Sequence, residues 1–119
     1  MIPLYYIFNK PYRVLSQFSP SEGKQTLSDF LSLPKDVYPV GRLDYDSEGL
    51  LLLTNDGVFH NRLIDPKYKH SRTYLVQVEG IPNQDSIRRL SSGIIIQGKR
   101  AKKANARILF TEPKIWERI

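Results

Sequence analysis

Three carboxylates, Asp44, Asp46 and Glu48, follow one another closely between Gly41 and a run of four leucines that begins at Leu50. These residue types predict a tight loop leading into a buried strand, an arrangement that often holds catalytic groups. A carboxylate in such a place can act as a nucleophile or accept a proton. Spacing alone does not decide which of the three would act, and for an isolated aspartate a structural role as the cap of a turn is favoured.

A basic side chain accompanies this loop. Arg42 lies two residues before Asp44, so in an extended segment both side chains point the same way. An ion pair between them would keep the carboxylate charged and aimed. Arg42 could instead contact a phosphate or be an ordinary surface arginine.

The sequence pattern predicts the strands and helices that must position these residues. Together they indicate an α+β fold with a mixed, mainly antiparallel sheet and two or three short helices. We expect residue 26 to cap a helical turn, residue 55 or 56 to cap a second helix, and residue 83 to cap a third that ends at Gly93. Residues 50–54 read as a strand buried on both faces. The expected strands cover residues 4–9, 14–17, 37–40, 50–54, 72–79, 94–96 and 104–110, and the expected helical segments cover residues 26–31, 58–64 and 84–91.

Composition narrows the class of protein. The 119 residues predict one domain, and the absence of cysteine excludes disulfides and thiolate metal sites. His60 and His70 stand ten residues apart with no cluster of partners, so we expect neither a metal nor a cofactor. With no long apolar run and no signal-like start, a cytoplasmic protein that does not span a membrane is expected.

The charge is uneven along the chain. The net charge is +6, and residues 70–119 carry ten Lys or Arg against four Asp or Glu, whereas the two signs cancel before them. The basic side chains Lys99, Arg100, Lys102 and Lys103 form a candidate surface for the phosphates of a polyanion. A solvated basic hairpin turn is the alternative.

The unbroken segment from Gly41 to Gly57 resembles the second motif of the RsuA-type pseudouridine synthases. The resemblance implies that Asp44 is the essential catalytic aspartate, that Arg42 helps engage RNA, and that Asp46 and Glu48 are surface carboxylates. Two further segments match. Residues 72–76 resemble the motif whose tyrosine, here Tyr74, stacks on the target base, although the family usually has lysine where Arg72 stands. Asn9-Lys10-Pro11 resembles the first motif, with Lys10 either a substrate contact or structural support.

The resemblance implies isomerisation of a uridine in ribosomal RNA to pseudouridine, without a cofactor. Two departures from the family pattern accompany it: Arg13 replaces a glycine before Val14, and no third, basic motif follows Phe110. We therefore expect residues 1–119 to be the N-terminal fragment of one catalytic domain. It is expected to be most like the RluE-type members that lack a separate RNA-binding domain, and to self-associate through an exposed sheet edge.

Two other functions compete with this one. The first is a non-catalytic RNA-binding fragment of such an enzyme. The second is a glycoside-processing enzyme built on Asp44 and another carboxylate, which the long motif and the basic second half of the chain disfavour.

Overall fold

The structure, a computed structural model, describes residues 2–117. Residues 2–72 form one compact unit and residues 73–117 a second. The architecture is α+β, with short, mainly antiparallel sheets and two α-helices, which confirms the predicted fold class. That the whole chain belongs to one catalytic domain stays a prediction.

The first unit is organised around a three-stranded antiparallel sheet. Strand β1 (Tyr5–Lys10) pairs along its whole length with β5 (Gly49–Thr54), and β4 (Tyr38–Pro39) pairs with the other edge of β5. The leucine run is therefore the central strand. Two very short strands, β2 (Val14–Leu15) and β3 (Gln25–Thr26), form a separate parallel pair.

The core of this unit lies against one face of the sheet. Leu51 and Leu53 of β5 are buried there with Val14, Leu27 and Val37. The prediction that β5 is buried on both faces is wrong: Leu50 is 66% exposed, and Ile7 on the adjacent strand is 77% exposed. Side chains alternate along a strand, and on the face opposite the core Leu50 is exposed and Leu52 half-buried, whereas Thr54 at the end of the strand is buried.

Polar caps define the helical segments of the first unit. Asp56 caps α1 (Gly57–Ile64) by accepting a hydrogen bond of 3.1 Å from the backbone N–H of Phe59. Residue 26 precedes a 3₁₀ turn, Leu27–Asp29, and its N–H donates to Oδ2 of Asp29 at 2.8 Å. The caps predicted at residues 26 and 56 are thus confirmed.

The second unit contains helix α2 (Gln84–Ser92) and a hairpin of β6 (Ile95–Ile96) and β7 (Lys99–Arg100). Asn83 caps α2 by accepting from the N–H of Ser86 at 2.8 Å, and Gly93 ends it, as predicted.

Two predicted strands are not formed. Residues 72–79 and 104–110 are irregular, and no described strand pairs with either. The side chains that alternate in residues 72–79 are mostly exposed; Tyr74, for example, is 63% exposed. Alternating apolar and polar side chains suit one strand of a sheet, but a strand forms only when a neighbouring strand pairs with it through hydrogen bonds.

A candidate active-site loop anchored to the core

The loop that carries Arg42 and Asp44 runs over residues 41–48 and joins β4 to β5. It leaves the sheet where the N–H of Val40 donates to the carbonyl of Leu52 at 2.7 Å, and Gly41 turns the chain with a φ of 74°. That φ favours glycine. A turn follows, in which the N–H of Ser47 donates to the carbonyl of Asp44 at 3.1 Å.

Exposure alternates along the loop. Arg42 and Asp44 are both exposed, while Leu43 between them is half-buried. Their carboxylate and guanidinium groups are therefore available to a ligand. No ion pair joins the two in residues 2–117, where the recorded ion pairs link Asp85 to Arg88 and Arg89. The expected Arg42–Asp44 pair is thus not formed, and exposed pairs of this kind contribute little stability.

Ser16 anchors the loop from the end of β2. Its buried hydroxyl donates to the carbonyl of Leu43 at 2.7 Å and accepts from the N–H of Leu43 at 3.1 Å. Both backbone polar groups of the residue between Arg42 and Asp44 are therefore held by one side chain. Sequence reasoning missed Ser16, because a serine at the end of a short strand carries no distinguishing pattern.

A second anchor comes from Arg13. Its backbone N–H donates to the carbonyl of Tyr45 at 2.8 Å, and its φ is 59°, in the left-handed region. The arginine thus adopts the conformation that suits the glycine expected at this position.

Lys10, the last residue of β1, lies near the three carboxylates of the loop. The side chain is fully buried, and its ammonium donates to the carbonyls of Pro11 at 2.9 Å and Val14 at 2.8 Å. Burial lowers the pKa of the Lys10 ammonium, while the negative charges of Glu48, Asp44 and Asp46 act in the opposite direction. The burial and both hydrogen bonds support the structural alternative for Lys10, and a direct substrate contact stays a prediction.

The remaining predicted site residues belong to residues 73–117. Tyr74 is exposed, which leaves its ring accessible. The four basic residues are exposed as well, with Lys99 and Arg100 in β7 and Lys102 and Lys103 shortly after it. Their roles stay predictions.

Within residues 2–117, no group of three or more His, Asp or Glu side chains is arranged to hold a metal ion. None of the helices described is both long enough and apolar enough to cross a membrane.

Comparison with known proteins places the chain in a family. Residues 4–108 match the family model for RNA pseudouridylate synthases, so the chain belongs to this family. It is similar to the ribosomal large subunit pseudouridine synthase E of Xanthomonas axonopodis pv. citri, with 47% identity over 114 residues, covering 94% of this chain and 60% of that protein. The enzyme of the same name from Vibrio vulnificus is 47% identical over 112 residues, and 47% of its length is covered.

Two further matches indicate the same family. Ribosomal large subunit pseudouridine synthase B of Bacillus subtilis is 42% identical over 113 residues, and the match covers 46% of its length. A crystal structure of a pseudouridylate synthase superposes with a TM-score of 0.81 and 29% identity, covering 91% of this chain and 47% of that one. The chain thus spans about half to three fifths of the length of these proteins. The predicted family is confirmed.

Proposed function

We propose that this chain takes part in converting a specific uridine of ribosomal RNA into pseudouridine. In this isomerisation the N1–C1′ bond of the uridine breaks, the detached uracil turns, a C5–C1′ bond forms, and the hydrogen on C5 is lost as a proton while N1 gains one. The observation that carries the proposal is the placement of Asp44: exposed, within the family's motif, on a loop whose neighbouring peptide is fixed by Ser16.

Asp44 can serve this reaction in two ways. Its carboxylate can attack or stabilise the electron-poor C1′ as the base departs, or it can remove a proton from the sugar or base. Both ways need a solvent-accessible carboxylate held in one position. The exposure of Asp44 and the anchoring of Leu43 beside it meet that need.

The other site residues have roles that follow from their chemistry. Arg42 contacts the RNA backbone near the reacting sugar, as guanidinium groups do with phosphates. Tyr74 offers an aromatic face on which an extruded uracil can stack. The basic side chains Lys99, Arg100, Lys102 and Lys103 bind phosphates without reading sequence.

The decisive experiment measures tritium release from ribosomal RNA labelled with [5-³H]uridine. We expect this chain to release tritium and Asp44→Asn to abolish the release. Asp46→Asn and Glu48→Gln are matched controls on the same loop and should retain it. If this chain releases no tritium while still binding the RNA, the alternative of a non-catalytic RNA-binding fragment replaces the proposal.

Three broader expectations belong to the same proposal. The chain belongs to a single catalytic domain, works in the cytoplasm, and self-associates through the sheet. The exposed Ile7 and Leu50, and the open edges of β1 and β4, support self-association. Light scattering over a range of concentrations tests it, and a constant monomer mass would refute it.

A further inference from the structure

An open hollow of about 440 Å³ lies beside the candidate active-site loop, within the first compact unit. Three parts of the fold form it: the residues at the end of β2, the segment from β4 into the loop, and helix α1. Its lining residues are Ser16, Gln17, Tyr38, Pro39, Gly41, Arg42, His60 and Ile64.

The lining combines a mainly apolar wall with a few polar groups. Tyr38 and Ile64 supply an exposed aromatic face and an aliphatic side chain. Arg42 supplies a permanent positive charge, and the His60 ring can donate or accept a hydrogen bond. A nucleotide has the matching properties: a flat base with apolar faces, a polar edge and an anionic phosphate.

The walls of the hollow are held in place before any ligand arrives. Tyr38 belongs to a strand paired with β5, and the N–H of Val40 donates to Leu52. The Ser16 hydroxyl holds the backbone of Leu43, the residue after Arg42. Asp56 caps the helix that carries His60. A preformed hollow loses little conformational freedom on binding.

We propose that this hollow binds a nucleotide that neighbours the target uridine along the RNA strand, with its base against Tyr38 and its phosphate on Arg42. The inference rests on the proposed function, since it takes Asp44 as the reacting group. Arg42 lines the hollow, and only Leu43 separates it from Asp44. Two residues of chain span at most about 7 Å, so a phosphate bound by Arg42 lies near the reacting sugar along the RNA.

The test separates base recognition from phosphate attraction. Two fluorescent probes of equal length and charge are used with the full chain: an oligouridylate and an abasic ribose-phosphate oligomer. Tyr38→Ala should weaken binding of the oligouridylate roughly 5- to 150-fold, the range for loss of one base stack. It should leave binding of the abasic oligomer unchanged. Arg42→Ala should weaken binding of both probes.

Matched controls come from the same compact unit. Tyr68→Ala removes the same type of side chain outside the hollow and should change neither affinity. Tyr38→Phe keeps the aromatic face and should bind like the parent chain. If Tyr38→Ala lowers the melting temperature, Tyr38→Leu, which keeps bulk without an aromatic face, decides the outcome.

The proposal is overturned if loss of the Tyr38 ring leaves oligouridylate affinity unchanged, or weakens binding of the two probes equally. A binding defect confined to the control variants would overturn it as well. Its failure is distinct from that of the proposed function, because tritium release and its dependence on Asp44 are measured separately. If the chain releases tritium but loss of the Tyr38 ring has no base-selective effect, the proposed function stands and the proposed subsite is refuted.

Discussion

The hydroxyl of Ser16 holds both backbone polar groups of Leu43, donating to its carbonyl at 2.7 Å and accepting from its N–H at 3.1 Å. Residues 16 and 43 are far apart in the chain, so this contact fixes the loop of Asp44 to the core rather than to its own neighbours. A side chain at the end of β2 thereby helps to fix where the candidate catalytic group lies.

Removing that hydroxyl should loosen the loop. We expect Ser16→Ala to lower the free energy of unfolding by about 1–3 kcal/mol, because Leu43 loses hydrogen bonds in a partly buried place. Urea unfolding measures the loss, and amide exchange at Leu43 should accelerate more than exchange at Leu51 in the sheet. Ser16→Thr retains a hydroxyl and is the matched control. Unchanged exchange at Leu43 in Ser16→Ala would contradict the anchoring role.

Arg13 stands in a conformation that suits glycine. With a φ of 59° it bears the strain of a β-carbon in the left-handed region. Arg13→Gly should therefore raise the free energy of unfolding by about 0.5–1 kcal/mol, since the backbone bond to Tyr45 is kept and the strain is removed. Arg13→Ala removes the guanidinium but keeps the β-carbon, and it should show no such gain. Equal stability of the two variants would show that strain is not the cause.

Lys10 offers a test between structural support and RNA contact. Replacing it with methionine leaves the carbonyls of Pro11 and Val14 without their buried donor, at a cost of about 1–3 kcal/mol for each group left unsatisfied. We expect Lys10→Met to lower stability strongly while the salt dependence of RNA binding by the folded protein is kept. Lys35→Met, at an exposed lysine, is the control. A reduced salt slope with full stability would make Lys10 an RNA contact instead.

Asp56 links helix α1 to strand β1. It accepts from the N–H of Phe59 and, at 2.5 Å, from the hydroxyl of Tyr5; the Tyr5 bond is the largest cause of a lowered pKa of Asp56. A carboxyl whose pKa is lowered by folding stabilises the fold above its unfolded value of about 3.9 and loses that contribution as pH falls through the folded value.

Tyr5→Phe should therefore raise the pKa of Asp56 toward the usual aspartate value and move the acid-induced loss of stability to higher pH. An NMR titration of the Asp56 carboxyl measures the shift. Tyr6→Phe, at the next position of the same strand, is the control. An unchanged Asp56 pKa in Tyr5→Phe would refute the linkage.

The basic residues after α2 should act through charge alone. Lys102→Ala combined with Lys103→Ala should weaken RNA binding and reduce the slope of log affinity against log salt by up to about 1.4, at about 0.7 per phosphate contact on a single strand. Lys35→Ala changes an exposed lysine elsewhere and should leave the slope unaltered. A double variant with the parent slope would exclude these lysines from the RNA surface.

Much of the fold was predictable because its signals are local. Asp56 and Asn83 cap helices where the sequence places them, and Gly93 ends α2. Such features depend on a few adjacent residues. The motif around Asp44 likewise identified the loop, since its residues are contiguous.

The errors arise where structure depends on distant partners. Residues 72–79 alternate like a strand but have no pairing neighbour among residues 2–117, and Leu50, which was expected to be buried, is exposed. Ser16 and Lys10 acquire their importance from contacts made by the folded chain. Lysine and serine are mostly exposed in folded proteins, so residue type alone predicts surface positions for both and does not indicate their burial here.

The pairing of β1 with β5 also sets an order of events in folding. Tyr5 aligns with Thr54 and Lys10 with Gly49, so the first strand cannot find its partner during synthesis until the leucine run has been made. The hairpin of β4 and β5 is the more local pairing and closes a shorter loop, at a lower entropic cost. Its closure also forms the Asp44 loop. We therefore expect the reactive segment to take shape on the nascent chain before the amino-terminal strand docks and completes the sheet.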